Sequence, residues 1–584
     1  MTATVAAPAA TAGRPRSAPS VLSRAWEAGR GPLMEVGVAF GGAAWMLATT
    51  LTIGDFAPLD RNSQVSGLAA LQVRFLVPAL IGVALLVATR KTPARRIWTS
   101  RYAFAVLPGL MSGFVGGGVL LALKGVSLPM NGTVGDAGDM ERWAMDLQHG
   151  KAVNPAYPPL FPRFVWLVAK FEHNNVFLGL KFAEIITAAI LGPAVYLAWR
   201  LIAGRAWACT IAVLYTGALS EPYKSYEPVV LGILIPIAIA LIAYLRTVGA
   251  KSYKQLAIVG LLVGLGIGLI FITFSGPFYW AALGFAVSAL AVFPWKAWRN
   301  ALVLLGTMGV GFLAVGWHLV QGLLNAAPDP YFFFQTDQDP GYPFLYITDM
   351  PGPLSKGVWP PIPEAGGVDV FAALMVVALG VALWLGYRKL PILVTASVLA
   401  GSWLMRFYLA SEMYHDKLVR YWPRTTSVVI YCFLILTVFG VKAAAEKIQE
   451  RYEALVAVRG GATESTDTVT QSETDSDADA RTTGLGTDGD DDAADRPLAA
   501  RSRGRAAVPS RTAATGATSA TTTSVGAGLV AAAFALTFFA GMAGSAGADK
   551  IMPKQDGSPG QLSWNAHFDN PHNLRLGVTL VNGK

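Results

Sequence analysis

AALQVRFLVPALIGVALLVATRKTPARRIWTSRY, residues 69–102, decides the architecture. Its first part, 69–88, holds one charge, Arg74, among mainly apolar side chains. About 20 such residues in a helix cross roughly 30 Å of hydrocarbon. The gap that follows carries Arg90, Lys91, Arg95, Arg96 and Arg101 and no acid, which assigns it to the cytoplasmic face of a membrane. Outward from this segment, apolar runs recur at 33–53, 103–124, 177–199, 206–220, 229–246, 256–274, 277–294, 300–324, 369–387, 391–410, 425–443 and 525–547, the run 206–220 being short. The sequence therefore predicts an all-α polytopic membrane protein, a bundle of about 13 transmembrane helices.

Basic gaps set the orientation. The N-terminal arm, residues 1–32, has Arg14, Arg16, Arg24 and Arg30 against Glu27 alone, so the N-terminus is cytoplasmic. Threading the spans alternately puts Arg200 and Arg205, Arg246 to Lys254, Lys296 and Arg299, Arg388 and Lys389, and Lys442 to Arg451 on that same side. The outside receives 54–68, 125–176, 221–228, 325–368, 411–424 and the tail after 547. No cleaved signal peptide is needed, because residues 1–32 lack an apolar core and the first span is long enough to remain as an anchor.

Composition agrees. Of 584 residues 53% are hydrophobic and 14% charged, against about a quarter charged in a soluble domain, which excludes a simple soluble enzyme. The net charge of +9 is an average over unlike parts. Residues 461–495 hold eleven acids against Arg481, so the cationic excess lies elsewhere, in the short gaps between spans. That distribution speaks for membrane orientation and against a nucleic-acid partner. Cys209 and Cys432 lie in apolar runs and read as small buried hydrophobes. No C-x-x-C pair or metal-ligand cluster is present, and no cofactor or metal is implied. The division is an arm at 1–32, a membrane domain at 33–450, a cytoplasmic linker at 451–524, a last span at 525–547 and an outside tail at 548–584. Within the linker, 460–524 has almost no large apolar side chain and reads as disordered, acidic first and basic before the last span.

The outside loops hold the chemistry-bearing residues. In GDAGDMERWAMDL, 135–147, Gly135 and Gly138 allow tight turns beside Asp136 and Asp139. Met140, Trp143, Ala144 and Leu147 then follow at helical spacing. The two carboxylates thus fall at or just before a helix N-terminus, which favours negative charge; either is a candidate base. NPAYPPLFPRF, 154–164, has four prolines that predict a rigid extended path, with Tyr157 and Phe161 offering rings to a sugar or lipid chain. ALSEPYKSYEPV, 218–229, adds Glu221, Lys224 and Glu227, and 325–368 sets Asp337, Asp339 and Asp349 among Tyr342 and other aromatics. In SEMYHDKLVRYWPRTTSV, 411–428, His415, Lys417, Arg420 and Arg424 stand on the side where cations are disfavoured, and they suit a lipid phosphate. His318, within a span, reads as an interhelical hydrogen-bonder.

This arrangement, an Asp-rich first outside loop, an aromatic Pro-rich stretch, many spans and a later basic loop, resembles the GT-C class of glycosyltransferases. GDAGDMERWAMDL, NPAYPPLFPRF and LVRYWPRTTSVVIYCFL are similar to the actinobacterial galactan 5-O-arabinofuranosyltransferases over roughly 33–450. The resemblance implies a GT-C-like bundle in the plasma membrane with its active site on the extracytoplasmic side. It also implies inverting transfer of arabinofuranose from decaprenylphosphoryl-arabinofuranose to a hydroxyl of lipid-linked galactan. Asp136 or Asp139 would be the base, Lys417, Arg420, Arg424 and His415 would hold the donor phosphate, and Trp143, Tyr157, Phe161, Tyr342 and Glu221 would contact sugar or lipid. That family is expected to carry a larger C-terminal outside domain than the short tail here. Two other readings stand beside this one: another polyprenyl-phosphate-sugar transferase of mannosyltransferase type, and a transporter of lipid-linked sugars. Transporters favour repeated halves and midplane charges, whereas here the acids concentrate outside.

Overall fold

A computed structural model describes residues 21–133, 135–326, 370–412, 415, 422–469, 515–554 and 557–569. Among them the regular elements are all helical, and each of the thirteen apolar runs has most of its length in a helix. In chain order these are α1 (Val21–Thr50), α2 (Arg61–Thr89), α3 (Pro93–Ala122), α4 (Asp136–Gln148), α5 (Leu160–Phe171), α6 (Val176–Trp199), α7 (Arg205–Leu219), α8 (Tyr226–Leu245), α9 (Tyr253–Thr273), α10 (Gly276–Ala291), α11 (Trp298–Leu324), α12 (Val370–Gly386), α13 (Leu390–Ser411), α14 (Thr426–Val469), α15 (Thr515–Ile551) and α16 (Pro559–Asp569). Among the described residues ten helices are long and apolar enough to cross a membrane. The other three apolar runs form α7, α10 and α12, of 15, 16 and 17 residues. The chain is thus a multi-pass membrane protein, all-helical in the regular elements of its described residues.

Side-chain caps start several of the helices. Asp60, Asn175 and Ser252 accept the backbone N–H of Ser63, Leu178 and Gln255, satisfying donors that a helix start leaves open. Gly260, Gly264 and Gly268 repeat at every fourth position of α9 and let it lie against α11; a Cβ at Gly264 would sit 2.1 Å from the Met308 carbonyl oxygen. Helix α3 forms the centre, buried almost throughout from Phe104 to Ala122, with α1, α2, α6, α7 and α15 around it.

Two of the sequence expectations change. The Pro-rich stretch is not one extended path: Pro155 and Ala156 form a turn closed by the Tyr157 N–H donating to the Asn154 carbonyl at 3.0 Å, Pro159 already has helical dihedrals, and Leu160–Phe171 is helix despite Pro162. Proline in the first turn forfeits only an N–H that has no helical partner, so it starts a helix as readily as it breaks one. Helix α14 runs through residue 451 to Val469, so 460–469, read as disordered, is its end. AAAEKIQERYEALV is rich in strong helix formers and is laced by Lys447–Glu450 at 3.0 Å and Gln449–Glu453 at 2.9 Å.

Contacts gather the helix ends into two groups. At one end Glu35, Arg101, Arg200 and Arg205 meet, and Lys389 pairs with Glu446 at 2.5 Å. At the other, Arg61 pairs with Asp549 at 2.5 Å, Lys124 donates to the Gly54 carbonyl, and Gln64 donates to the Pro553 carbonyl at 2.7 Å. The site lies at this second end.

Candidate functional site

Segment 123–133 leaves α3 and is held from two sides. From α6, Lys181 donates to the carbonyls of Leu123 and Val126 at 2.8 and 2.7 Å, and Glu184 accepts the Met130 N–H at 3.0 Å. From α16, Ser563 accepts the Gly132 N–H at 3.1 Å and donates to the Pro129 carbonyl, while Trp564 donates to the Ala122 carbonyl at 2.8 Å. Val126 and Leu128 pack on Trp564. Gly135, at φ 62°, then turns the chain into α4, so Asp136 and Asp139 both fall in its first turn. The positive φ requires glycine there.

The two carboxylates have different surroundings. Asp136 meets Lys224 at 2.6 Å, a residue of the short turn Pro222–Lys224 between α7 and α8. Asp139 is paired with its own helix neighbour Arg142 at 2.6 Å, the arginine side chain being 65% exposed. Only Asp136 therefore faces the rest of the cluster through its ion pair. Glu141, one turn on, is buried, and its Oε2 has no hydrogen-bond partner; burial pushes its carboxyl up to about 7.

Aromatic rings wall the site. Trp143 lies 4.2 Å from Tyr157, Phe161 lies 4.3 Å from Tyr226, and the Tyr157 and Tyr226 hydroxyls share a hydrogen bond of 2.9 Å. Burial raises the Tyr157 phenol above its ordinary value; its bond with Tyr226 acts the other way, and the charges of Asp136 and Glu227 raise it further. Tyr157 is thus a neutral hydroxyl at working pH. Glu227 is in electrostatic range of Glu221, Lys224, Arg424 and Asp136, and Glu221 of Lys224 and Lys550. Arg424 belongs to the turn Trp422–Thr425, which Arg406 of α13 fixes by donating to Thr425 Oγ1 at 3.1 Å and Thr426 Oγ1 at 2.8 Å. Beyond Tyr157 a cavity of about 720 Å³ opens, with Asn154, Lys151, Arg163, His318 and Gln321 among its lining. His318 is exposed there and does not join two helices by a hydrogen bond among the described residues, so its expected interhelical role gives way to a place on the cavity wall.

Of the residues singled out in sequence, Asp136, Trp143, Tyr157, Phe161, Glu221 and Arg424 come together. Asp139 sits at the rim, and His415 is exposed beyond α13. Lys417, Arg420 and Tyr342 lie outside the described residues. Lys224 and Glu227 carry more of the geometry than their loop alone suggested. Arg406, Lys181 and Glu184 went unread although each is a charge within an apolar run, a recognised mark of function. Among the described residues no group of three or more His, Cys, Asp or Glu is placed to hold a metal ion. The cluster can orient a carboxylate toward a hydroxyl, stack a sugar ring and neutralise a phosphate. No family model and no curated protein matches the chain.

Proposed function

We propose that the chain is an inverting glycosyltransferase that moves arabinofuranose from decaprenylphosphoryl-arabinofuranose to a hydroxyl of lipid-linked galactan, in a GT-C-like bundle of about 13 spans. The observation that carries this reading is the convergence of Asp136, Lys224 and Arg424 with the Trp143–Tyr157–Tyr226 wall at one end of a membrane bundle. The charge of the gaps supports an extracytoplasmic placement of that end, and the resemblance to the galactan arabinofuranosyltransferases supports the plasma membrane.

Inversion needs one base within reach of the attacking hydroxyl and no covalent intermediate. Asp136 takes the hydroxyl proton, and Lys224 fixes the direction of its carboxylate. The acceptor oxygen bonds to the anomeric carbon as that carbon's bond to the phosphate oxygen breaks. The electron pair stays on the polyprenyl phosphate, where Arg424, joined by Lys417 and Arg420, offsets the added charge. Aromatic faces hold the furanose ring, and the cavity beside Tyr157 receives the acceptor chain.

The direct test offers purified protein a radiolabelled decaprenylphosphoryl-arabinofuranose and a short lipid-linked galactofuranose acceptor. Label should pass to the acceptor, and a mannosyl donor should not replace it. Transfer from the mannosyl donor alone would move the protein to another sugar class, and transfer from neither would remove the enzymatic reading.

A further inference from the structure

The bundle end opposite Asp136 carries a second charged constellation, which the transfer reaction does not use. Glu35 of α1 is 5% exposed, and arginines from three other places converge on it: Arg200 at 2.7 Å, Arg101 at 3.6 Å and Arg205 at 4.0 Å. Tyr196 donates to the same carboxylate at 2.7 Å. One acid therefore faces three guanidinium groups, and positive charge is left over. The Nε atoms of Arg101 and Arg205 are buried with no hydrogen-bond partner, a condition that buried donors rarely keep.

A cavity of about 360 Å³ opens beside them. Its polar lining includes Arg200, Arg205 and Ser100, and its apolar lining Phe104, Trp207 and Leu529. The first turn of α7 also lines it, behind Gly204, which provides no side-chain cap. Helix-start N–H groups left open in this way accept anions, phosphate above all. Ile97, Trp98 and Leu201 are exposed close by in sequence, as expected where a helix bundle meets lipid. A phosphate in this cavity would meet two arginines and a helix start, while an attached glyceride would meet the apolar lining.

We infer that this cavity binds a phosphate-bearing anion, the headgroup of an anionic phospholipid from the leaflet at this end. Basic pockets between membrane helices on the cytoplasmic side are suited to such headgroups, and this end is the one the basic gaps assign to the cytoplasm. The inference is independent of the transfer reaction. Glu35 holds the arginines in place without the lipid and competes with it for their charge.

The test uses the full chain, purified and delipidated in neutral detergent. Lipid binding is read by native mass spectrometry, and the thermal unfolding midpoint is read alongside. Phosphatidylglycerol should bind and raise the midpoint, and phosphatidylcholine should do neither. Arg205→Gln leaves the shorter Arg200–Glu35 pair intact and should weaken phosphatidylglycerol about fivefold, the effect of one cation at a membrane surface. Glu35→Gln should strengthen it, because the competing carboxylate is gone, and a purely structural role for the cluster would give no such gain. Arg388→Gln, which removes an exposed cation from another helix end, should change nothing. Inorganic phosphate that protects as well as the lipid would support the anion site and make its source soluble. Equal binding of the two lipids, or an unchanged preference in Arg205→Gln, would overturn the inference.

Discussion

Lys224 separates the two candidate bases. It lies 88 positions from Asp136 in sequence and 2.6 Å from it in space, so no reading of loop 125–176 by itself prefers Asp136 to Asp139. Both side chains are partly exposed, and their pair should add little to stability, about 0–1 kcal/mol. Lys224→Met is therefore expected to leave the unfolding midpoint nearly unchanged while lowering transfer about tenfold or more, equivalent to about 1.4 kcal/mol of barrier. Equal activity in this variant would show that Lys224 does not orient the carboxylate. Glu141 gives a prediction of the opposite kind. Its carboxyl is raised from 4.5 to about 7 by burial, so the folded state favours the proton. The stability this contributes is fully present below about pH 4.5 and is lost as pH rises through 7. Glu141→Gln should match the wild type near pH 5 and be the more stable of the two at pH 8.5, by on the order of 1–3 kcal/mol in unfolding free energy. A difference that is the same at both pH values would contradict the assignment. Asp136, Trp143, Tyr157 and Phe161 were legible because they share one outside loop, 125–176. Arg406, Lys181 and Glu184 were not, because within an apolar run the count of residues draws the reading toward length and away from the single charge.

At the scale of elements, α16 is the piece that sequence reading left without a role. Its eleven residues show no strong periodicity, and it docks on segment 122–132, more than 400 residues away. Together with Lys181 and Glu184 it holds the segment that leads to Asp136. Ser563→Ala removes the acceptor of the buried Gly132 N–H, which costs about 1–3 kcal/mol locally, and Trp564→Ala vacates a buried site, for about 3–5 kcal/mol. Both should speed hydrogen exchange at Asn131 and Gly132, Trp564→Ala the more, and leave exchange in α9 and α11 as it was. Unchanged exchange at these two amides would show that α16 is not a clamp. Helix α9 can be probed through Gly264, where a larger residue meets the backbone of α11. Gly264→Leu should separate the two helices and lower the unfolding midpoint, whereas Gly266→Leu, whose added Cβ meets nothing within 4 Å, should not. The spacing of these glycines was visible in sequence; the partner of their stripe was not, since any apolar helix would serve.

For the whole molecule, the number and place of the apolar runs were legible because lipid imposes one length on every crossing helix. The bundle adds which ends meet: Arg61 with Asp549, and Glu35 with Arg101, Arg200 and Arg205. These meetings join ends that the basic gaps assign to one face, and they bring α15, last of the apolar helices, back beside α2 and α3. Pairing over such separations depends on the shape of both surfaces, and composition does not encode it. In the proposed reaction this bundle transfers a sugar from a lipid phosphate with Asp136 as the base. That proposal is tested most directly by comparing wild type, Asp136→Asn and Asp139→Asn for label transfer from decaprenylphosphoryl-arabinofuranose to a galactofuranose acceptor, with donor binding measured on the same preparations. Donor binding is expected in all three, with transfer lowered about 10²–10⁴-fold in Asp136→Asn and within a few-fold of wild type in Asp139→Asn. Full transfer by Asp136→Asn would contradict the proposal.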